Sequence, residues 1–189
     1  MHGTMHPPTP NDDGAATLAR WQADEATVRE RNPRYGLSRP EQVAPLSGQQ
    51  FFDAVFAGEL PLAPIFETLD FVPIHMARGV AVFQGRPLAR HYNPMGTVHG
   101  GWFATLLDSA VACAVHTALP AGKTYTTVEL KISLVKALTA KVPLVRAEGR
   151  LIHLGRSLGT ADGRLVGPDG TLYAHASTTC FVLDRPPSP

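Results

Sequence analysis

The stretch Asn93-Pro94-Met95-Gly96-Thr97-Val98-His99-Gly100-Gly101-Trp102-Phe103-Ala104-Thr105-Leu106-Leu107-Asp108-Ser109-Ala110-Val111-Ala112-Cys113-Ala114-Val115-His116-Thr117 opens polar and glycine-rich, then turns apolar. Carried on to Gly122, its second part reads as a helix apolar on nearly every face, with Asp108 its only carboxylate. A helix hydrophobic all round belongs inside a protein. An acid there is costly unless paired, hydrogen-bonded or neutralised, which marks Asp108 as a residue with a task. The entry brings an amide (Asn93), an imidazole (His99) and the bare backbone N–H groups of Gly100 and Gly101 to the helix start.

Such a helix needs a curved sheet wrapped about it, and the flanking sequence supplies strands. Upstream, Thr68–Met76 and Gly79–Gly85 predict two short strands around Ala77-Arg78-Gly79. Downstream, Tyr125–Val135, Val142–His153, Ser157–Val166 and Leu172–Leu183 predict four more. Gly155-Arg156 and Pro168-Asp169-Gly170 are turn signals, and links this short force antiparallel hairpins. The expected order is a strand pair, one long helix and a four-strand meander, an α+β arrangement. Toward the N-terminus, Ala15–Arg31 predicts a helix carrying Leu18, Trp21, Ala26 and Val28, ended by Asn32-Pro33. Gly48–Ala57 predicts a second, capped by Ser47. The organisation expected is therefore a disordered segment 1–14, accessory helices over 15–59, the main domain over 60–185 and a disordered tail 186–189.

Composition narrows the class. Lys+Arg number 17 against Asp+Glu 16, without a run of like charge, which argues against broad nucleic-acid binding. Two cysteines, Cys113 and Cys180, make neither a disulfide framework nor a metal-type spacing, and no His-Glu-x-x-His pattern occurs. A reducing cytoplasm fits. The N-terminus lacks a basic-plus-apolar signal pattern and the 101–118 helix is too interrupted to span a bilayer, so a soluble protein without a membrane partner is expected.

The Asn93-x-x-Gly96-x-x-His99-Gly100-Gly101 entry, Asp108 seven residues on, and the later Thr126-Thr127-Val128-Glu129-Leu130-Lys131 segment resemble the signature of hotdog-fold acyl-CoA thioesterases of the phenylacetate-pathway (PaaI) type. The resemblance covers roughly Leu60 to Leu183. It implies a hotdog fold, a six-stranded antiparallel sheet around one long central helix. It also implies a homodimer, or a dimer of dimers, whose sheets join edge to edge, with active sites at the subunit boundary. By position, it places Asp108 as catalytic carboxylate, Asn93 as polarising amide and the Gly100 N–H as oxyanion donor. Thr127 falls where related enzymes carry a hydroxyl reaching in from the partner subunit, with Thr126 as its substitute. Lys136, and Arg156 in the Gly155-Arg156 turn, fall where family members contact nucleotide and pantetheine, or else are solvated turn residues.

These residue types suit the chemistry. Cleaving a thioester needs an activated water or a carboxylate nucleophile, and donors for the charge on the carbonyl oxygen. Asp108 supplies the first as nucleophile or as general base. It lies about two turns beyond Gly100 near the same helix face, so acid and carbonyl are expected to be neighbours. Gly100 and Gly101, at the positive end of the helix dipole, leave N–H groups without intrahelical partners. His99 either joins the site or orders the loop, and His116 is expected to cap the helix end. No metal or redox cofactor is called for, coenzyme A entering only as part of the substrate. Two other readings stand: a non-catalytic acyl-CoA sensor, against which the intact Asn93, Gly100 and Asp108 set speaks, and an acyl-thioester dehydratase or hydratase. A serine hydrolase is disfavoured by the absence of a Gly-x-Ser-x-Gly elbow.

Overall fold

Eleven helices and strands of the computed structural model, which describes residues 10–185, follow one another as α1 (Pro10–Arg31), α2 (Pro40–Val43), α3 (Gly48–Phe56), α4 (Pro64–Leu69), β1 (Phe71–Ala77), β2 (Val80–Gly85), α5 (Gly100–Thr117), β3 (Lys123–Leu134), β4 (Val145–Leu154), β5 (Leu158–Val166) and β6 (Leu172–Asp184). Of the expected disordered ends, residues 1–9 and 186–189 lie outside the described residues. Residues 10–14 do not follow the expectation: they are the first turn and a half of α1, where proline's fixed φ suits the opening position. The strand expected from Thr68 starts only at Phe71, because Pro64 opens α4 and Asp70, at φ 53° in the left-handed region, ends it.

All strand pairs are antiparallel, in the order β1-β2-β4-β5-β6-β3. The expected four-strand meander is thus corrected to three strands, β4-β5-β6, with β3 on the far side of β6. Only the short links at Gly155-Arg156 and Pro168-Asp169-Gly170 force neighbours to pair. The link over 135–144 is long enough to cross the helix entry, where Val98 N–H donates to Leu138 O (2.9 Å) and Leu138 is fully buried.

The sheet bends around α5 with help from irregular register in β1, β3, β4 and β6, since a bulge adds local twist. Contact is close: a Cβ at Gly149 would stand 2.1 Å from Ala110 O, so only glycine admits the helix backbone there. Phe71, Phe83, Leu106, Leu107, Val111 and Leu165 fill the space between, all fully buried.

On the other face of the sheet lies α1, held by a mixed apolar and ionic seam. Trp21 is buried with Leu144 and Val166, and the Arg146 guanidinium lies 4.6 Å from its ring centroid. Glu25, only 4% exposed, accepts from Arg29 (2.8 Å), Arg86 (3.1 Å) and Gln84 (2.9 Å). Arg146 also pairs with Asp24 at 2.6 Å. Ala26, expected on the apolar side, is exposed.

Candidate active site

The sheet does not cover α5 on every side. Gly101, Ala104, Thr105, Asp108, Ser109, Cys113 and His116 keep accessible surface, and their three- and four-residue spacing makes them one stripe along the helix. The expectation of a helix buried all round is corrected accordingly: Asp108 sits on the uncovered stripe. The polar members of that stripe, Thr105, Asp108, Ser109, Cys113 and His116, at helical spacing in a run otherwise mostly Trp, Phe, Leu, Val and Ala, were the signal for it.

Asp108 faces β3. Thr127 donates its hydroxyl to Asp108 Oδ1 at 3.1 Å within the same chain. The register of β3 against β6 slips between Thr127 and Glu129, leaving Val128 as an extra residue beside the pair. Thr126 is exposed and, one residue away on the strand, points to the opposite face. The pair opens onto a cavity of about 450 Å³. Ser109, Ala112, Cys113 and His116 of α5 form one wall, Tyr125 and Arg185 border it, and Phe51, Phe52 and Phe66 from the N-terminal helices form the wall opposite. His116, expected to be a helix cap, therefore lines the cavity. Its ring lies 5.2 Å from those of Phe51 and Phe52 and 5.1 Å from that of Tyr125.

The entry loop is built around its own polar side chains. Asn93 Oδ1 accepts from Met95 N–H (2.9 Å) and Thr97 N–H (3.3 Å), while its Nδ2 donates to Thr97 Oγ1 (3.0 Å). His99 caps α5, its Nδ1 accepting from Gly101 N–H at 2.9 Å. That uses one of the two glycine donors. Gly100 N–H has no acceptor among the described residues. Gly100 and Asp108 of one chain are not neighbours, however: eight residues at 1.5 Å of rise separate them by about 12 Å along the axis. Sharing a face did not imply sharing a substrate atom. Neither Asn93, His99, Gly100 nor Gly101 lines the cavity at Asp108.

Lys136 and Arg156 are both exposed and stand at opposite ends of the sheet. Thr126 and Leu158 are both paired with Phe181, and Leu134 with Ala174, so along β3 the two ends are about 26 Å apart at 3.3 Å per residue. Within one chain, one nucleotide cannot touch both. Lys136 Nζ lies 5.9 Å from the Tyr173 ring centroid, and Gly155 N–H closes its hairpin by donating to Leu158 O.

Enclosure sets the electrostatics. Burial pushes the Asp108 carboxyl above the ordinary range, and the Thr127 hydrogen bond partly offsets this. Burial, with Arg185 nearby, pushes the His116 imidazole down to about 4, so its ring is neutral at physiological pH. Burial pushes the Cys113 thiol up to about 12. A half-buried acid whose basicity is raised, held by one hydroxyl and opening onto an apolar cavity, is equipped to act as base or nucleophile toward an uncharged group delivered there.

Comparison with known proteins defines the class. Residues 95–174 match the model of the Thioesterase superfamily. The phenylacetic acid degradation protein PaaI of Thermus thermophilus is 31% identical over 62% of this chain and 97% of its own, with a TM-score of 0.57. A phenylacetic acid degradation-related protein of Ralstonia eutropha is 29% identical over 69% of this chain and 98% of its own, TM-score 0.64. A "putative esterase" of Halobacterium salinarum is 34% identical over 100 residues, and this chain spans 63% of its length. The chain belongs to the thioesterase superfamily and has its hotdog fold, in the company of PaaI-type proteins. The family supports acyl thioester hydrolysis as the general class of activity. No helix among the described residues is long and apolar enough to cross a membrane.

Proposed function

We propose that the protein hydrolyses acyl-CoA thioesters to the free acid and coenzyme A, with Asp108 attacking the carbonyl or activating water. The observation that carries this is the Asp108 carboxylate, bonded by Thr127 at 3.1 Å, on the lining of an apolar cavity. In either role the acid must be ionised. Burial raises its proton affinity and with it its strength as a base.

An attacking atom must approach to about 3–3.5 Å, and an oxyanion donor must stand about 2.7–3.1 Å from the oxygen. Asp108 and Gly100 N–H of one chain are too far apart to meet both demands. A second copy would supply the missing donor, placing its Gly100 N–H, with Asn93 as polarising amide, against the thioester held at Asp108. The free edge of β3 supports such a dimer. It is twelve residues long, is paired among the described residues only on its β6 side, and bears exposed Val128 and Leu134. An unpaired edge of that length is a template for a second strand. Lys136 of one copy and Arg156 of the other would then approach, since antiparallel strands joined about a two-fold axis bring opposite sheet ends together.

Thiol release from short, medium, long and aromatic acyl-CoAs, measured on wild type and Asp108→Asn, tests the assignment. The variant is expected to lose about 10²–10⁴-fold or more in kcat, the span of a positioned acid or base. Wild-type rates in the variant would remove Asp108 from the chemistry. Tight acyl-CoA binding without release by wild type would point to a sensor.

A further inference from the structure

The N-terminal segment lies outside the 95–174 match to the family, yet its helices and the loops between them, over residues 36–66, build about half of the cavity at Asp108. Their docking is tight. Ser47 and Gln50 form a capping box that fixes the start of α3, and Gly48 N–H donates to Leu119 O at 3.0 Å just past the end of α5. A Cβ at Gly48 would stand 1.7 Å from His116 O, so α3 touches the α5 backbone directly. From that anchor, Phe51 and Phe52 project onto His116 and face the accessible stripe of α5 across the cavity.

Resting on the thioesterase assignment above, we propose that α3 is the specificity element of this site: it closes the far end of a chamber for an unbranched, uncharged acyl chain, and Phe51 sets the longest chain admitted. The chamber runs along α5 from Asp108, where the thioester carbonyl reacts, to His116. Those residues are eight apart, about 12 Å at 1.5 Å per residue. An extended carbon chain advances about 1.25 Å per atom, the projection of a C–C bond of about 1.5 Å, so about eight to ten carbons fit between carbonyl and aromatic wall. The volume, about 450 Å³, is that of a small-molecule site. Apolar and aromatic side chains dominate the lining, and His116 faces the cavity as a neutral ring. Among the described residues Arg185 is the one cation on the lining, at the His116 end, and its buried Nε has no partner among them.

The test is a kcat/KM profile over straight-chain acyl-CoAs of about four to sixteen carbons for wild type, Phe51→Ala and Phe51→Trp, with thermal melts of each. Wild type is expected to peak near eight to ten carbons and to fall about tenfold or more at the longest chains, the scale on which a pocket discriminates methylenes. Phe51→Ala should move the peak to longer chains and Phe51→Trp to shorter ones. Should Phe51→Ala fail to fold, the tryptophan variant still decides the direction. Turnover by wild type with a profile that neither substitution moves overturns the chamber while leaving the hydrolase intact. No turnover of any acyl-CoA by wild type overturns the hydrolase and the chamber together. One further substrate, a ten-carbon acyl-CoA ending in a carboxylate, probes Arg185: its preference over the methyl-ended chain would overturn the uncharged-chain assignment.

Discussion

Burial first, and against it the Asp108–Thr127 hydrogen bond at 3.1 Å, set the pH range in which an acid of this kind can work. Burial raises the carboxyl's proton affinity and Thr127 lowers it. Thr127→Val removes only the lowering contribution, so the acid limb of the kcat/KM profile should move to higher pH, read directly from a pH series on the variant. The sign for stability is the opposite of that for activity. A carboxyl whose folded pKa is raised contributes stability below its unfolded pKa and loses it as pH rises through the folded one. Asp108→Asn should therefore fold at least as stably as wild type near neutrality, which a urea titration at pH 7 checks. His116 behaves the other way. With its folded value depressed from 6.5 to about 4, its contribution is present above pH 6.5 and is lost as pH falls toward 4. At full depression that is up to about 3 kcal/mol. His116→Phe should flatten the fall in urea midpoint between those two pH values.

At the level of elements, what the chain showed in one dimension and what it withheld divide along sequence distance. The central helix, its polar entry, all six strands and both hairpin turns were legible from local period and punctuation. The placement of β3 was not, because a link over 135–144 is long enough to reach either edge of the sheet. Nor was the seam under α1. A window-sized view of Leu18, Trp21, Ala26 and Val28 suggests an apolar face, whereas the docking depends on Glu25 meeting Arg29, Arg86 and Gln84, the last two some sixty residues distant. Those hydrogen bonds outweigh burial and hold the Glu25 carboxyl below its usual range. Removing a buried partner leaves its cations uncompensated, a cost of about 3–5 kcal/mol when they too are buried. Arg29 and Arg86 retain 33% and 44% exposure and can rehydrate, so Glu25→Ala should cost about 2–3 kcal/mol, seen as a lowered urea midpoint. The motif pointed to Asp108, but the wall facing it comes from a helix more than fifty residues earlier, beyond the reach of any local pattern.

For the whole molecule, the twelve-residue β3 edge and the separation of Gly100 from Asp108 make one proposal testable in solution. Val128 is 58% exposed and lies midway along β3, where an antiparallel pairing about a two-fold axis brings a residue close to its own copy. A charge there meets itself. Val128→Lys should leave the monomer's stability within about 0.5 kcal/mol, as surface changes usually do. It should also halve the mass measured by sedimentation and abolish turnover; an active monomer would mean that one chain completes the site. The enclosure that raises Asp108 has a further effect on its neighbour on the cavity wall, Cys113. A thiolate is the form that attacks thioesters, and a thiolate about a turn and a half beyond the acid would intercept the acyl group and trap it on the protein. With its thiol pushed up to about 12, Cys113 stays protonated and inert, so under the proposed function a chamber receiving activated acyl groups is shielded from acylating itself.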